Sequence, residues 1–442
     1  MKIKLSQTNS NNRRIHPEFP KFIKLLFGLA ILTLLSANMS YPTDWPQWRG
    51  PLRNGVSSET GLLKDWPKDG PPIVKKISGL GVGFSGIAVV GQRIFTLGDS
   101  GDSCYLQSLD LASGKLIWST SIGVASSSGP EPGGARNTPT VAGNLTIALG
   151  RFGDLICVST ATGKANWRRN LPKEFGAQVM AGWGDLKSGW GYSEAPLVDG
   201  NKVICTPGGS GGTLLALDKS TGAILWRTKE WTDNAGYSSV VSSNIGGVRQ
   251  YIQLTGESLA GVAAADGHIL WRVQRTGKEA PVPTPIVIDK FVYVTSAYTA
   301  GSSLFKILES SGSFSADTVY HNRVMENHYH GVIKVGDYIY GYTDVKGWIC
   351  QDFKSGNLVW QNRNKNLEKG SLTAADGMLY LRGSKSGTMV LIEATPKGWI
   401  EKGRFEQPER TKIKADTPPV IANGKLFLRD QDILLIYDVK KK

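Results

Sequence analysis

The stretch Thr213-Leu-Leu-Ala-Leu-Asp-Lys-Ser-Thr-Gly-Ala-Ile-Leu-Trp-Arg227 holds an apolar run, a polar turn closed by glycine, and a second apolar run ending on tryptophan. It follows Ala195-Pro-Leu-Val-Asp-Gly-Asn-Lys-Val-Ile-Cys-Thr-Pro207, which reads the same way around an Asp-Gly turn. Short apolar runs bounded by such turns are strands. The glycine with a tryptophan four residues later recurs as Gly114/Trp118, Gly163/Trp167, Gly222/Trp226, Gly267/Trp271 and Gly356/Trp360. The steps between these glycines are 49, 59, 45 and then 89 residues, the last being two steps across a degenerate copy in which Gly312 has Ala316 in place of tryptophan. Strand-built repeats of this period predict a propeller.

The marker residues have physical reasons. Asp110, Asp218 and Asp352 stand four residues before their glycines, where a short carboxylate accepts turn amides and glycine supplies the positive φ that closes a hairpin. The tryptophan is expected in the outer strand, covering the seam between blades. Six residues before each glycine stand Ser108, Cys157, Ala216, Gly261 and Cys350, all small, as close sheet packing requires. Copies are read near 86–122, 138–171, 193–231, 237–275, 283–322, 330–364, 370–406 and 415–439. The last lacks an outer strand, which Ile73-Val-Lys-Lys-Ile77 is expected to supply. The predicted fold is all-β: an eight-bladed β-propeller of four-stranded antiparallel blades, closed by an N-terminal strand pairing with the C-terminal blade.

The Leu-Asp-x-x-x-Gly-x-x-x-Trp pattern resembles the pyrroloquinoline quinone (PQQ)-like repeat, with its tryptophan-docking motif, of quinoprotein dehydrogenases and of the outer-membrane assembly lipoprotein BamB. The resemblance covers most of 71–442. It implies the fold and leaves the function open, because the motif residues are structural. The segment Asp44-Trp-Pro-Gln-Trp-Arg-Gly-Pro-Leu-Arg-Asn-Gly55 resembles the leader-proximal part of a group of exported PQQ-like propellers, mostly of unassigned function. Trp45 and Trp48 among prolines suggest that 41–70 is a strap docked on the propeller. Arg49 and Arg53 are candidates for an interaction there.

Residues 1–40 read as an export signal or signal anchor. Lys2, Lys4, Arg13, Arg14, Lys21 and Lys24 precede an uncharged stretch from Leu25 to Leu35, short for a membrane span. The cleavage site is poorly defined: cutting after Ala37 leaves Leu35 at minus three, and cutting after Ser40 leaves Asn38 there. A periplasmic or secreted location is expected, with a membrane anchor at 22–36 as the alternative. No cysteine follows the apolar stretch, so a lipoprotein of the BamB type is not supported. The net charge of +14 falls to about +9 without the leader, with no dense basic run in the remainder. No nucleic-acid partner is expected. Cys104, Cys157, Cys205 and Cys350 are scattered over different copies and read as buried thiols rather than a disulfide framework.

Loops joining the outer strand of one blade to the inner strand of the next converge on one face, so long ones mark a candidate binding surface. One covers 123–137 and delivers Arg136; another covers 172–192 and carries Trp183, Trp190 and Tyr192, followed by Glu194. The aromatic residues are candidate stacking surfaces for a planar cofactor or a sugar, or parts of a self-packed loop. His321, His328 and His330 cluster in sequence, with His328 and His330 spaced to share one face of a strand. They are candidates for a polar ligand role, for general base work, or for channel lining, with Glu326 and Asp344 the nearest carboxylates. No third metal ligand is set by spacing, so no metal is predicted. Tyr237, Tyr298 and Arg382 complete the candidates, Arg136 and Arg382 for a carboxylate or sulfate or for neutralising channel acids.

Two function classes follow. The first is a binding or scaffold propeller of the cell envelope, with a protein, polymer or small molecule at its loop face and channel. The second, implied by the resemblance, is a PQQ-dependent dehydrogenase with calcium, acting on an alcohol or sugar. Against it, the chain lacks the adjacent Cys-Cys pair and the large insertions of the alcohol dehydrogenases, and no catalytic Asp transfers by motif. No catalytic residue is assigned.

Overall fold

The computed structural model describes residues 44–126, 133–181, 190–277, 279–329, 331–363 and 367–442. The leader, the anchor read at 22–36, Trp183 and His330 lie outside them. Eight antiparallel blades cover 88–124, 140–170, 197–227, 241–274, 286–322, 333–362, 370–405 and 420–438, with the strands of each sheet side by side in chain order. The last blade has three strands of its own. Ile73–Ile77 is its fourth, antiparallel to Ile433–Asp438 with Ile77 opposite Leu434, so the ring closes as the sequence predicts. Among the described residues no helix is long and apolar enough to cross a membrane.

The repeat residues hold the seams between blades. Trp118 packs its ring on Gly163 of the next blade, where an added Cβ would fall 2.6 Å away, and its indole donates to Thr160 O at 3.1 Å. Trp167 and Trp226 do the same with Gly222 and Gly267, donating to Lys219 O and Ala264 O. The glycine therefore serves twice: Gly163 takes φ +72° in its own turn, and it leaves a flat seat for the neighbouring ring. The small residues Ser108, Cys157, Ala216, Gly261 and Cys350 stand directly across from the tryptophan of their own blade. They make room for that ring, a more local reason than sheet-on-sheet packing. In the degenerate fifth copy the seam is held by Tyr320, which lies against Gly356 and donates to Phe353 O at 3.0 Å. At the closure Ile77 takes this place against Gly114.

The core lies between blades. Phe95 and Leu97 of the first pack with Val141 and Ile156 of the second, and similar clusters follow around the ring. The four cysteines are buried and free, and burial pushes the Cys157 thiol up to about 11 and that of Cys350 to about 12.

The strap runs inside the ring. Within its own blade each first strand has one neighbour, so its inward edge needs hydrogen-bond partners. Trp45 exchanges backbone bonds with Val89 of blade one, and Pro46 O accepts from Val141 of blade two. Arg53 donates to Ala195 O and Pro196 O ahead of blade three, Trp48 to Thr284 Oγ1 ahead of blade five, and Arg49 to Val332 O ahead of blade six. Val56–Ser57 then adds a parallel strand to Gly370–Ala375 of blade seven, and Glu59 accepts from Gly424 of blade eight. Arg49 and Arg53 are buried at φ +59° and +55°, and burial lowers both to about 10.

Candidate functional site

A register rule builds the site. The residue four positions before the first strand is Phe84, Arg136, Ser193, Tyr237, Val282, Tyr329 and Asp416 in blades one to six and eight. All of them line one cavity of about 350 Å³. Each inner strand is approached from the same face, so the same register points its side chain at the axis on that face. Trp190, His328 and Lys414 join from the same segments. Tyr298 comes from the turn between the second and third strands of blade five. Trp48 of the strap also borders a void of about 20 Å³ lined by Thr138, Thr373 and Pro419, so it forms a floor between the cavity and the ring of inner strands. Such a volume, with mixed aromatic and polar walls, is typical of small-ligand sites.

On one wall His328 is held from two sides. Lys369 Nζ lies 2.6 Å from its Nδ1 and 2.6 Å from Asp344 Oδ1, and Tyr298 Oη lies 2.9 Å from its Nε2. An ammonium has only donors, so where Lys369 bonds Nδ1 that nitrogen accepts and Nε2 carries the proton toward Tyr298 Oη, whereas Asp344 Oδ2, 3.6 Å from the same Nδ1, favours a proton on it. Burial opposes ionisation of Asp344, but His328 and Lys369 beside it outweigh that and hold its carboxyl at about 2. The Lys369 ammonium also lies 4.7 Å from the centre of the Tyr329 ring.

The opposite wall carries guanidinium groups. Arg136 lies 5.3 Å from the centre of the Phe84 ring, and Arg151 donates to Trp190 O at 3.1 Å. Trp190 and Tyr237 meet at 5.2 Å with planes inclined by 52°. Burial raises the Tyr237 phenol, and the Trp190 amide together with Arg136 and Arg151 counters part of that rise. The carboxylate of Asp416 accepts from Ser384 Oγ.

Of the residues singled out in the sequence, Arg136, Trp190, Tyr237, Tyr298 and His328 meet in this wall, and Asp344 stands behind it through Lys369. Three others lie in the protein behind the wall. Tyr192 is 2% exposed and donates to Pro207 O at 3.1 Å. Glu194 is buried, accepts from Thr206 N and Oγ1, and is pushed up to about 7 by burial. Arg382 is fully buried, donating to Thr417 O, Arg429 O and Gln407 Oε1, so its recorded partners are protein oxygens rather than the cavity. His321 bonds Ser303 Oγ and lines a separate cavity beside Arg275. Glu326 accepts from Arg323. Among the described residues no group of three or more His, Cys, Asp or Glu side chains is placed to hold a metal ion. Sequence reasoning passed over Phe84, Tyr329, Lys369, Lys414 and Asp416, and read Trp48 as a strap residue without placing it at the cavity. Aligning the copies on their inner strands would have found Phe84, Tyr329 and Asp416.

An eight-bladed propeller with a strap inside its ring and a cavity at one mouth defines a class before any relative is considered. The chain belongs to the PQQ-like propeller family whose model is described as outer membrane protein assembly factor BamB and matches residues 102–362. No curated protein matches the sequence. Among solved structures, BamB from Moraxella catarrhalis is similar at a TM-score of 0.59 with 16% identity, over 83% of this chain and 99% of that one. Quinohemoprotein alcohol dehydrogenase from Comamonas testosteroni is similar at 0.61 with 12% identity, over 93% and 82%. The computationally designed Ika8 protein is similar at 0.56 with 10% identity, over 87% and 99%. At these identities the likeness concerns the fold alone, which a scaffold, an enzyme and a design share.

Proposed function

We propose that this protein is an exported propeller of the cell envelope, periplasmic or secreted, that binds a ligand or partner group in the mouth cavity. The observation that carries the reading is the convergence of segments from seven blades, by one register, on a cavity floored by Trp48. A channel needed only for packing has no use for Arg136, Trp190, Tyr237, Tyr298 and His328 around one space. The charged leader and membership of the BamB family support the location.

The dehydrogenase reading fits less well. Calcium takes six to eight oxygen ligands, whereas among the described residues the cavity wall offers one carboxylate, Asp416, which is bonded to Ser384. The described residues do not fit a calcium-bound quinone, and no redox step is assigned to them.

The test is thermal unfolding of the full chain against a panel of oligosaccharides, PQQ and short envelope peptides, beside a Ser193→Trp variant that fills the cavity. At least one compound should raise the wild-type Tm in a saturable way and leave the variant unchanged. A panel with no effect, or equal effects on both proteins, would remove the mouth as the binding site.

A further inference from the structure

We propose that the cavity in the seam between blades four and five is a second binding site, for a tetrahedral oxyanion: phosphate or sulfate, free or as a monoester. It is separate from the mouth and does not depend on the reading of the mouth.

The seam departs from its neighbours. Trp118, Trp167 and Trp226 each donate across to a carbonyl of the next blade. Trp271 instead donates to Gln250 Oε1 of its own blade at 2.8 Å, and a Cβ added at Gly312 would meet nothing within 4 Å. Where the outer strand Ile269–Gln274 of blade four ends, a cavity of about 380 Å³ lies against the sheet of blade five. Arg275 and Thr276 line it from blade four, and Ser303, Phe305, Thr318 and His321 from the hairpin of Gly301–Ser310 and Ser313–Asn322. His321 stands opposite Ser303 and Thr318 opposite Phe305, so these four share one face of the sheet.

Charge identifies the occupant. Arg275 is 6% exposed, and its recorded acceptors are all neutral: Nε donates to Ser303 Oγ at 3.4 Å, Nη1 to Ser296 Oγ at 3.0 Å and Nη2 to Gly301 O at 2.9 Å. A guanidinium has five N–H groups, so one on each terminal nitrogen has no recorded acceptor among the described residues. Glu257, Glu279 and Asp317 are the carboxylates nearest in sequence. Glu257 gives its carbonyl to Arg275 N, Glu279 acts on Tyr298 at the mouth, and among the described residues no carboxylate is recorded within ion-pair distance of Arg275 or His321. A buried cation without a countercharge is costly, and burial lowers this guanidinium to about 10. An anion in the cavity supplies the missing charge.

The remaining donors suit its oxygens. Ser303 Oγ lies 2.9 Å from His321 Nδ1. With Arg275 donating to Ser303 and Ser303 to Nδ1, the imidazole carries its proton on Nε2, a further donor. Thr276 and Thr318 are exposed and add hydroxyls with no recorded partner among the described residues. Donors from two blades around one space fit the oxygens of a tetrahedral ion better than the two of a flat carboxylate. The cavity far exceeds the roughly 30 Å³ share of one water, which leaves room for an esterified group.

The experiment is calorimetric titration of the purified full chain with inorganic phosphate, sulfate, glycerol 3-phosphate and acetate at constant ionic strength. At least one tetrahedral anion should bind saturably at one site, with acetate at least about 10-fold weaker, as expected when charge-assisted hydrogen bonds are lost. Glycerol 3-phosphate tighter than phosphate would mark an esterified ligand, and equal affinities a free ion. His321→Ala should weaken binding by about 10-fold while the circular dichroism stays that of the wild type. Thr318→Trp fills the cavity from an exposed position and should abolish binding. Arg275→Gln keeps an amide donor for turn 296–301, removes the charge, and should abolish it too. Ser193→Trp, which fills the mouth, should leave it unchanged. No saturable binding, acetate equal to phosphate, or binding that survives both Thr318→Trp and Arg275→Gln would overturn the seam site and leave the mouth reading untouched, with Arg275 reduced to a staple of its turn. Binding lost in Ser193→Trp and kept in Thr318→Trp would place the anion at the mouth and overturn the seam site as well.

Discussion

Glu194 shows what a side chain behind the mouth does for the protein. Its carboxyl is fully enclosed, and burial pushes it up to about 7 although Thr206 donates to it twice and Arg53 attracts it. Between its ordinary value near 4.5 and that raised value, the folded chain holds a proton that the unfolded chain has released. This contribution to stability is complete below the unfolded value and is lost as pH rises through about 7. The loss is on the order of 3 kcal/mol at about 1.4 kcal/mol per unit. Urea denaturation from pH 4.5 to 8 should therefore show a falling component that Glu194→Gln, neutral throughout, lacks. Identical slopes in the two proteins would remove this account. At the blade seam, Gly267→Ala places a methyl 2.4 Å from the Trp226 ring at φ +82°. A Tm loss equivalent to roughly 1–3 kcal/mol is expected from the overpacking alone.

The strap is the element that converts a ring into a site. Its Arg53 caps two carbonyls ahead of blade three while sitting at φ +55°. Arg53→Ala removes the donors and keeps the backbone strain, so it should cost about 1–3 kcal/mol. Arg53→Gly removes the same donors and relieves the strain, and should recover about 1 kcal/mol relative to alanine. Chemical denaturation of the pair separates the two effects, and alanine no worse than glycine would mean the left-handed turn carries no strain. At this scale the sequence was half legible. Trp45 and Trp48 among prolines announced a docked strap, but nothing local showed that Trp48 would reach Thr284, 236 residues away, and floor a cavity. Arg136, Trp190, Tyr237, Tyr298 and His328 were recognisable as loop and inner-strand candidates. Tyr192 and Glu194 looked equally eligible, because facing the axis or the protein depends on a shift of one or a few residues in an approach segment, and Arg382 sits in the second strand of blade seven, where its partners are protein oxygens.

In the whole molecule, closure joins the two ends of the fold. Ile73–Ile77 covers the edge of Ile433–Asp438, and Ile77 seats on Gly114 of the first blade. Removing residues 1–77 should leave the last blade three-stranded with an exposed edge, a template for pairing between copies. Size-exclusion chromatography with light scattering should show association and a lowered Tm; a monomer with unchanged Tm would mean that the ring does not need its closing strand. The architecture itself was readable from the five Gly…Trp pairs, since each hairpin and its small cross-strand partner is local and its period survives even where Tyr320 replaces the tryptophan. The sequence by itself determined the eight blades, their spans within a few residues and the strand that closes them, because alternation, turns and repeats act over tens of residues. Only the tertiary structure decided which side chains share the mouth. Lys369 of the segment before blade seven meets His328 before blade six, and His328 meets Tyr298 of blade five, through the curvature of a closed ring that no single repeat encodes.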